Sequence, residues 1–260
     1  MKLKQNGFAI LELILIIVAV ITIGVLGYFA ITRINSDGTE MSKERVNTSE
    51  SSKQEEDMLV LENLGINIID DTLVTNDALR DYASAGLKGF YGFGEDLSRN
   101  DARKNPNLEF SSVKEDAQIV SAIDGVVGFI KEQPEASDSE VFIQPSEGSS
   151  WTIGYDHLVD LQVRKGDKVK AGDALGKAAK QGNGMYRFEI QVNQDKNGST
   201  LHYCPVSLLK PSLKEKHIAD LTVFQQNWES VSGLELYDLA AQNPVGCLKE
   251  TMTPAEAEGN

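Results

Sequence analysis

Histidine, cysteine and positive charge are all scarce in this 260-residue chain, and each scarcity excludes something. There are three histidines (His157, His202, His217) and two cysteines (Cys204, Cys247). Two thiols are too few for a zinc–thiolate site, and nothing in the spacing of the histidines suggests a metal site. Basic residues number 25 against 39 acidic ones, a formal net charge of -14. The acid excess is spread along the whole chain, which argues against nucleic acid or an anionic lipid surface as partner, since both need basic patches. Residues 35–58, NSDGTEMSKERVNTSESSKQEEDM, lack helical and strand periodicity altogether. Such a stretch cannot bury enough apolar surface to offset its ordering entropy, so a flexible linker is expected there.

One long apolar run is present. MKLKQNG is followed by FAILELILIIVAVITIGVLGYFAI, residues 8–31, interrupted only by Glu12. At about 1.5 Å per residue a helix of this length crosses a bilayer core. No small-x-small cleavage site follows it, unlike an ordinary signal peptide. Lys2 and Lys4 precede it, so the leader is expected in the cytoplasm. The expected localisation is the inner (cytoplasmic) membrane, single pass, with the C-terminal domain extracytoplasmic, whether periplasmic or extracellular.

Gly7, Phe8 and Glu12 in this register resemble the N-terminus of type IV prepilins and pseudopilins. The resemblance implies peptidase cleavage after Gly7 and N-methylation of Phe8. A carboxylate in hydrocarbon costs about 2.5 kcal/mol or more and needs a partner; in pilins that partner is a neighbouring subunit's N-terminal amine. The kink proline of pilin helices and their amphipathic continuation are missing here.

The remainder divides, after a leader at 1–7, a transmembrane helix at 8–34 and a linker at 35–58, into a β domain at 59–211 and a helical extension at 212–260. IVSAIDGVVGFI, SEVFIQPSEGSSWTIGYDHL, VRKGDKVKAGDALGKA and MYRFEIQV are short apolar-alternating runs separated by Gly and Asp-Gly turns, which predict an antiparallel sheet. Val120, Ala122, Val126, Phe129, Val141, Ile143, Trp151, Ile153 and Tyr155 are expected to face inward. In the extension, Leu213, Ile218, Leu221, Phe224 and Trp228 recur near helical spacing, a stripe expected to pack on its own domain. A second short helix is predicted in LELYDLAAQ, and the terminal TPAEAEGN is expected to lack fixed structure. An even cysteine count in an exported region favours a Cys204–Cys247 disulfide, with two buried thiols as the alternative.

FYGFG, the NPNLEF run, VSAIDGVVGFI, WTIGYDHL, VRKGDKVKAGDALGKA, MYRFEI and NGSTLHYCPVSLL, in this order over about residues 86–209, closely resemble the lysostaphin-like, or M23, peptidase domain. Biotinyl and lipoyl carrier domains share the glycine-valine turns, but the carrier lysine is absent. Active M23 members are zinc endopeptidases of peptidoglycan. Their His-x-x-x-Asp pair aligns with Asn105 and Glu109, and their His-x-His pair with Met185 and Arg187. Of the catalytic-type histidines only His157 remains, at the position of an assisting residue.

Asparagine is a poor zinc donor and arginine a permanent cation, so no catalytic residue, metal or other cofactor is expected at these positions. A salt bridge between Glu109 and Arg187 is expected in place of the metal. The resemblance therefore implies an inactive M23-like module that binds peptidoglycan or a cell-wall amidase, with the membrane engaged through the N-terminal helix. A minor pilin or pseudopilin, with pilus components as partners, is the alternative implied by the leader; an active zinc endopeptidase is the third.

The leader carries its own test. Mass spectrometry of the mature protein is expected to find an N-terminus at Phe8 bearing one added methyl group, and an intact Met1 would reduce the segment to a plain anchor.

Overall fold

The computed structural model describes residues 58–72, 77–98, 101–182 and 184–259. The leader, the apolar run and the linker, with Gly7, Phe8 and Glu12, lie outside them. Among the described residues no helix is long and apolar enough to cross a membrane.

Alternation of apolar and polar residues builds a mainly antiparallel β structure. Two short helices come first, α1 (Ile68–Asp71) and α2 (Asp77–Ser84). The strands are β1 (Phe90–Tyr91), β2 (Asp96–Ser98), β3 (Asp101–Lys104), β4 (Leu108–Val113), β5 (Gln118–Val120), β6 (Gly125–Gln133) and β7 (Asp138–Gln144). They continue with β8 (Trp151–Val159), β9 (Lys168–Val169), β10 (Ala174–Lys180), β11 (Tyr186–Lys196) and β12 (Ser199–Tyr203). Helix α3 (Pro211–Ser232), strand β13 (Thr251–Met252) and helix α4 (Pro254–Glu258) close the chain. The main sheet runs β1-β4-β11-β10-β8-β7-β6-β9, with β11 also paired to β8 and β12, β12 to β13, and β5 to β10; β2 and β3 form a separate hairpin.

Turn chemistry between β8 and β10 repeats. In RKGD and KAGD the aspartate carboxylate, of Asp167 and Asp173, accepts the backbone N–H of Arg164 and Lys170 at 2.8 Å each. Gly166 and Gly172 supply the left-handed residue, with φ of 90° and 91°, which a side chain would resist.

One face of the sheet is apolar. Val141, Ile143, Ile153, Tyr155, Phe188, Ile190, Leu108 and Phe110 are fully buried, and the rings of Phe110 and Phe188 stack at 6.2 Å. The Tyr155 hydroxyl oxygen accepts the Ala122 N–H at 2.7 Å. Strand β6 departs from the expected phase. The register shifts between Val127 and Phe129, so Val127 is the buried residue, Val126 is half-buried and Phe129 stands 51% exposed beside Phe142. A bulge inserts one residue and reverses the facing of those beyond it. Val120 is half-buried rather than core.

The C-terminal helix forms where the stripe predicts it. Leu221, Phe224 and Trp228 are buried, Leu213 and Ile218 partly so, and Gly233 in the left-handed conformation caps the end. Trp228 Nε1 donates to the Leu87 carbonyl at 3.0 Å, and its ring lies so close to Gly89 that an added Cβ would stand 2.6 Å from it. LELYDLAAQ forms only a 3-10 turn, Leu239–Ala241; the carboxylate of Asp238 accepts the Ala240 and Ala241 N–H groups and closes a tight turn there. The terminal segment, expected to lack fixed structure, is ordered instead: Thr253 and Glu256 make a reciprocal capping box that starts α4, and Met252 pairs with His202 across β12 and β13.

Cys204 and Cys247 form a disulfide, buried at both ends, across a sequence separation of 43. Closing a loop of that length restricts the unfolded chain by about 4 kcal/mol on entropy arithmetic. Replacing both cysteines by serine is expected to lower unfolding stability by about that amount, read by urea titration against the oxidised protein; an unchanged midpoint would show that the bridge contributes nothing.

Candidate functional site

The outer face of the same sheet carries the charges. Glu109 on β4 and Asp156 on β8 are both register partners of Glu189 on the intervening β11. Direct cross-strand partners share a face, so three carboxylates stand in a row, and Arg187, two residues before Glu189, joins them. On β8 three steps from Tyr155 to Leu158 oppose two on β7 from Val141 to Ser139. This bulge contains His157 at φ 62° and sets Asp156 and His157 beside one another. Bulges commonly re-aim side chains in this way.

A continuous network results. Arg187 Nη2 lies 3.2 Å from Glu109 Oε2 and also pairs with Glu189 Oε1. Glu109 Oε1 accepts from Ser111 Oγ at 2.6 Å, while Asn107 Nδ2 donates to Glu189 Oε2. His157 Nε2 stands 3.3 Å from Glu189 Oε1, and His157 Nδ1 2.7 Å from Asp138 Oδ2. Gln133 Nε2 donates to Asp156 Oδ1 at 2.6 Å, and so does the His157 N–H at 2.7 Å. The guanidinium meets both glutamates through the single nitrogen Nη2; its Nε has no hydrogen-bond partner among the described residues, so the two-nitrogen fork is not used.

Burial and charge move the acids in opposite directions. Burial and the neighbouring Glu189 charge push the Glu109 carboxyl up. Burial also opposes ionisation of Glu189, but the hydrogen bond from His157 and the Arg187 charge outweigh it and hold that carboxyl below its usual range. His157 follows the same logic: burial works against its charge, yet Glu189, Asp138 and Asp156 together lift it to about 9. Next to Glu109, burial and Tyr82 push the Tyr91 hydroxyl up to about 12, which removes it as a base near neutrality.

Glu109 and Arg187 meet. Asn105 is buried with its amide given to the backbone: Nδ2 donates to the carbonyls of Tyr91 and Gly92 at 3.3 Å each, and Oδ1 accepts the Asn107 N–H at 3.2 Å. Met185 is partly buried against the core. His202 bonds to Asn193 Oδ1 at 2.7 Å and His217 lies on α3; neither joins the cluster around His157. Sequence reasoning missed Asn107, Asp138, Asp156 and Glu189 as members of the site. The outward phase of Asp138 in β7 and of Glu189 in β11 is readable by alternation, but the convergence of the site is not.

Residues 108–203 match the family model for Peptidase family M23, so the chain carries an M23 peptidase-like domain. Among curated proteins none matches. Structural neighbours include the solution structure of lysostaphin, at 19% identity and a TM-score of 0.36, covering 41% of this chain and 43% of that one. The lysostaphin catalytic domain from Staphylococcus simulans is 18% identical, covers 49% of this chain and 95% of that one, and gives a TM-score of 0.38. A mutant catalytic domain of the prophage-encoded M23 protein EnpA from Enterococcus faecalis is 17% identical, covers 45% and 88%, and gives 0.36. The chain thus spans less than half of the first of these.

The zinc implied by the M23 resemblance does not fit the residues at Asn105, Glu109 and Arg187. A guanidinium bridges the two carboxylates there, and the asparagine amide is occupied by backbone carbonyls. A cation already at that place repels a second.

Arg187 should therefore be costly to remove. Arg187→Met leaves two buried carboxylates facing one another and is expected to destabilise the fold by about 3 kcal/mol at pH 7. Part of this is recovered in the double variant with Glu109→Gln, because the two sites share one interaction. The deficit should narrow as pH falls below the ordinary glutamate value of 4.5, where Glu189 loses the stability its depressed pKa confers. Thermal unfolding across pH measures both effects; strict additivity would show that Glu109 and Arg187 do not interact.

Proposed function

We propose that this chain is a membrane-anchored, extracytoplasmic M23-like module that does not hydrolyse and instead binds peptidoglycan or an envelope enzyme acting on it. The observation that carries the reading is the Arg187 guanidinium standing between Glu109 and Glu189, where M23 resemblance implies a metal. Without a metal at that position, nothing held between Glu109 and Glu189 lowers the pKa of a water from about 15.7 toward 7. Tyr91, with its hydroxyl near 12, supplies no base in its stead. What remains is a polar face rich in charge-assisted hydrogen bonds, suited to recognising amides and carboxylates rather than to cleaving them. The expected transmembrane helix at residues 8–34 and the linker at 35–58 support tethered display outside the membrane. Gly7, Phe8 and Glu12 favour a second reading, a minor pilin or pseudopilin presenting the same domain.

The test uses the full chain in detergent with purified cell-wall sacculi and added zinc. The protein is expected to sediment with the sacculi and to release no soluble wall fragments. Fragment release would restore the endopeptidase, and absence from the pellet would remove wall binding.

A further inference from the structure

On the β8 side of Glu189, Asp138, Asp156 and His157 offer ligand atoms that all lie within 4.8 Å of one another. We infer that these three side chains form a site for a divalent first-row cation such as Zn2+ or Mn2+, distinct from the Asn105, Glu109 and Arg187 positions.

Convergence alone would not carry this; two further observations do. The Asp138 side chain is fully enclosed, and its Oδ1 has no hydrogen-bond partner among the described residues, while Oδ2 is held by His157. An enclosed carboxylate oxygen without a donor is rare in folded proteins and points to a missing ion, water or proton. Charge selects the ion. Four carboxylates (Glu109, Glu189, Asp138, Asp156) share this network with two cations, Arg187 and His157. The adjacent Glu140 is matched separately by Lys131 at 3.3 Å. Ligation needs His157 neutral, so the network would then carry up to three negative charges beyond Arg187, and a dication offsets two of them.

The donor set narrows the choice. One imidazole with two carboxylates suits Zn2+ or Mn2+ better than a soft ion, which seeks sulfur, or Mg2+ and Ca2+, which take oxygen alone. Ligation requires the imidazole nitrogen to give up the hydrogen bond it shares with Asp138, so the metal replaces a proton between them. Gln133 already fixes one oxygen of Asp156 and leaves the other free to bind, the kind of outer hydrogen bond that orients metal ligands. The bulge at Asp156–His157 is what brings two donors of one strand to the same ion.

The full-length protein in detergent, stripped by chelator and titrated calorimetrically with Zn2+ and with Mn2+, is expected to bind about one equivalent of metal. Asp156→Asn and His157→Gln should each weaken binding by about tenfold or more, while His202→Gln should leave it unchanged. Asp138→Asn alters an enclosed side chain and can fail to fold, so a second readout keeps the test sharp: Co2+ bound to the native protein should show visible absorption that the His157→Gln variant lacks. No saturable binding, or binding that survives both variants intact, overturns the site. The result is separable from the proposed function, because wall digestion is read without reference to where a metal sits, and metal binding without reference to cleavage.

Discussion

Everything on the polar face of this sheet depends on one guanidinium. Arg187 touches Glu109 and Glu189 through a single nitrogen, and both carboxylates are almost wholly buried. Two such charges on adjacent strands repel in a medium of low effective dielectric. Without the cation between them, one would have to take up a proton. Glu189 then passes the interaction on to His157, and His157 to Asp138, so a chain of alternating charge runs across β4, β11, β8 and β7. At this place in the sheet the protein supplies its own cation, between Glu109 and Glu189.

Irregularities in the strands position this network. At Asp156–His157 one extra residue and a left-handed φ place two consecutive side chains in one cluster, where strict alternation would have separated them. The shift at Val127–Phe129 turns an aromatic ring outward onto the neighbouring stretch of the sheet, beside Phe142. Both defects occur on the face that carries the charged groups, while the opposite face packs regularly around Tyr155, Phe188 and Ile190. The apolar face fixes the strands firmly enough that local distortions of the ladder are tolerated, and those distortions assemble the site.

The C-terminal extension is part of the same packing problem. Trp228 closes against Gly89, β13 adds to β12, and the disulfide joins Cys204 at the end of β12 to Cys247. Gly89 precedes β1, which borders β4 and hence Glu109. Helix α3 thus buttresses the edge of the sheet from which one half of the charge network is hung.

The sequence by itself determined the alternating strands, their Asp-Gly turns, the helix carrying Leu221, Phe224 and Trp228, and the oxidisable cysteine pair. These are local signals: period, turn residues and composition act within a few residues of one another. Through family resemblance it also led to the expectation that Asn105 and Arg187 stand where metal donors would. The capping box at Thr253 is a local signal of the same kind, although the segment's place at the chain end led to the expectation that it lacks fixed structure. Tertiary structure decided the rest. Phe129 faces outward and Val127 inward because a bulge, set by pairing with β7, changes the phase. Asp138, Asp156, His157 and Glu189 converge because three strands and one left-handed residue bring distant positions together. Ion pairing between strands depends on register, and register is a property of the assembled sheet rather than of any one of its segments.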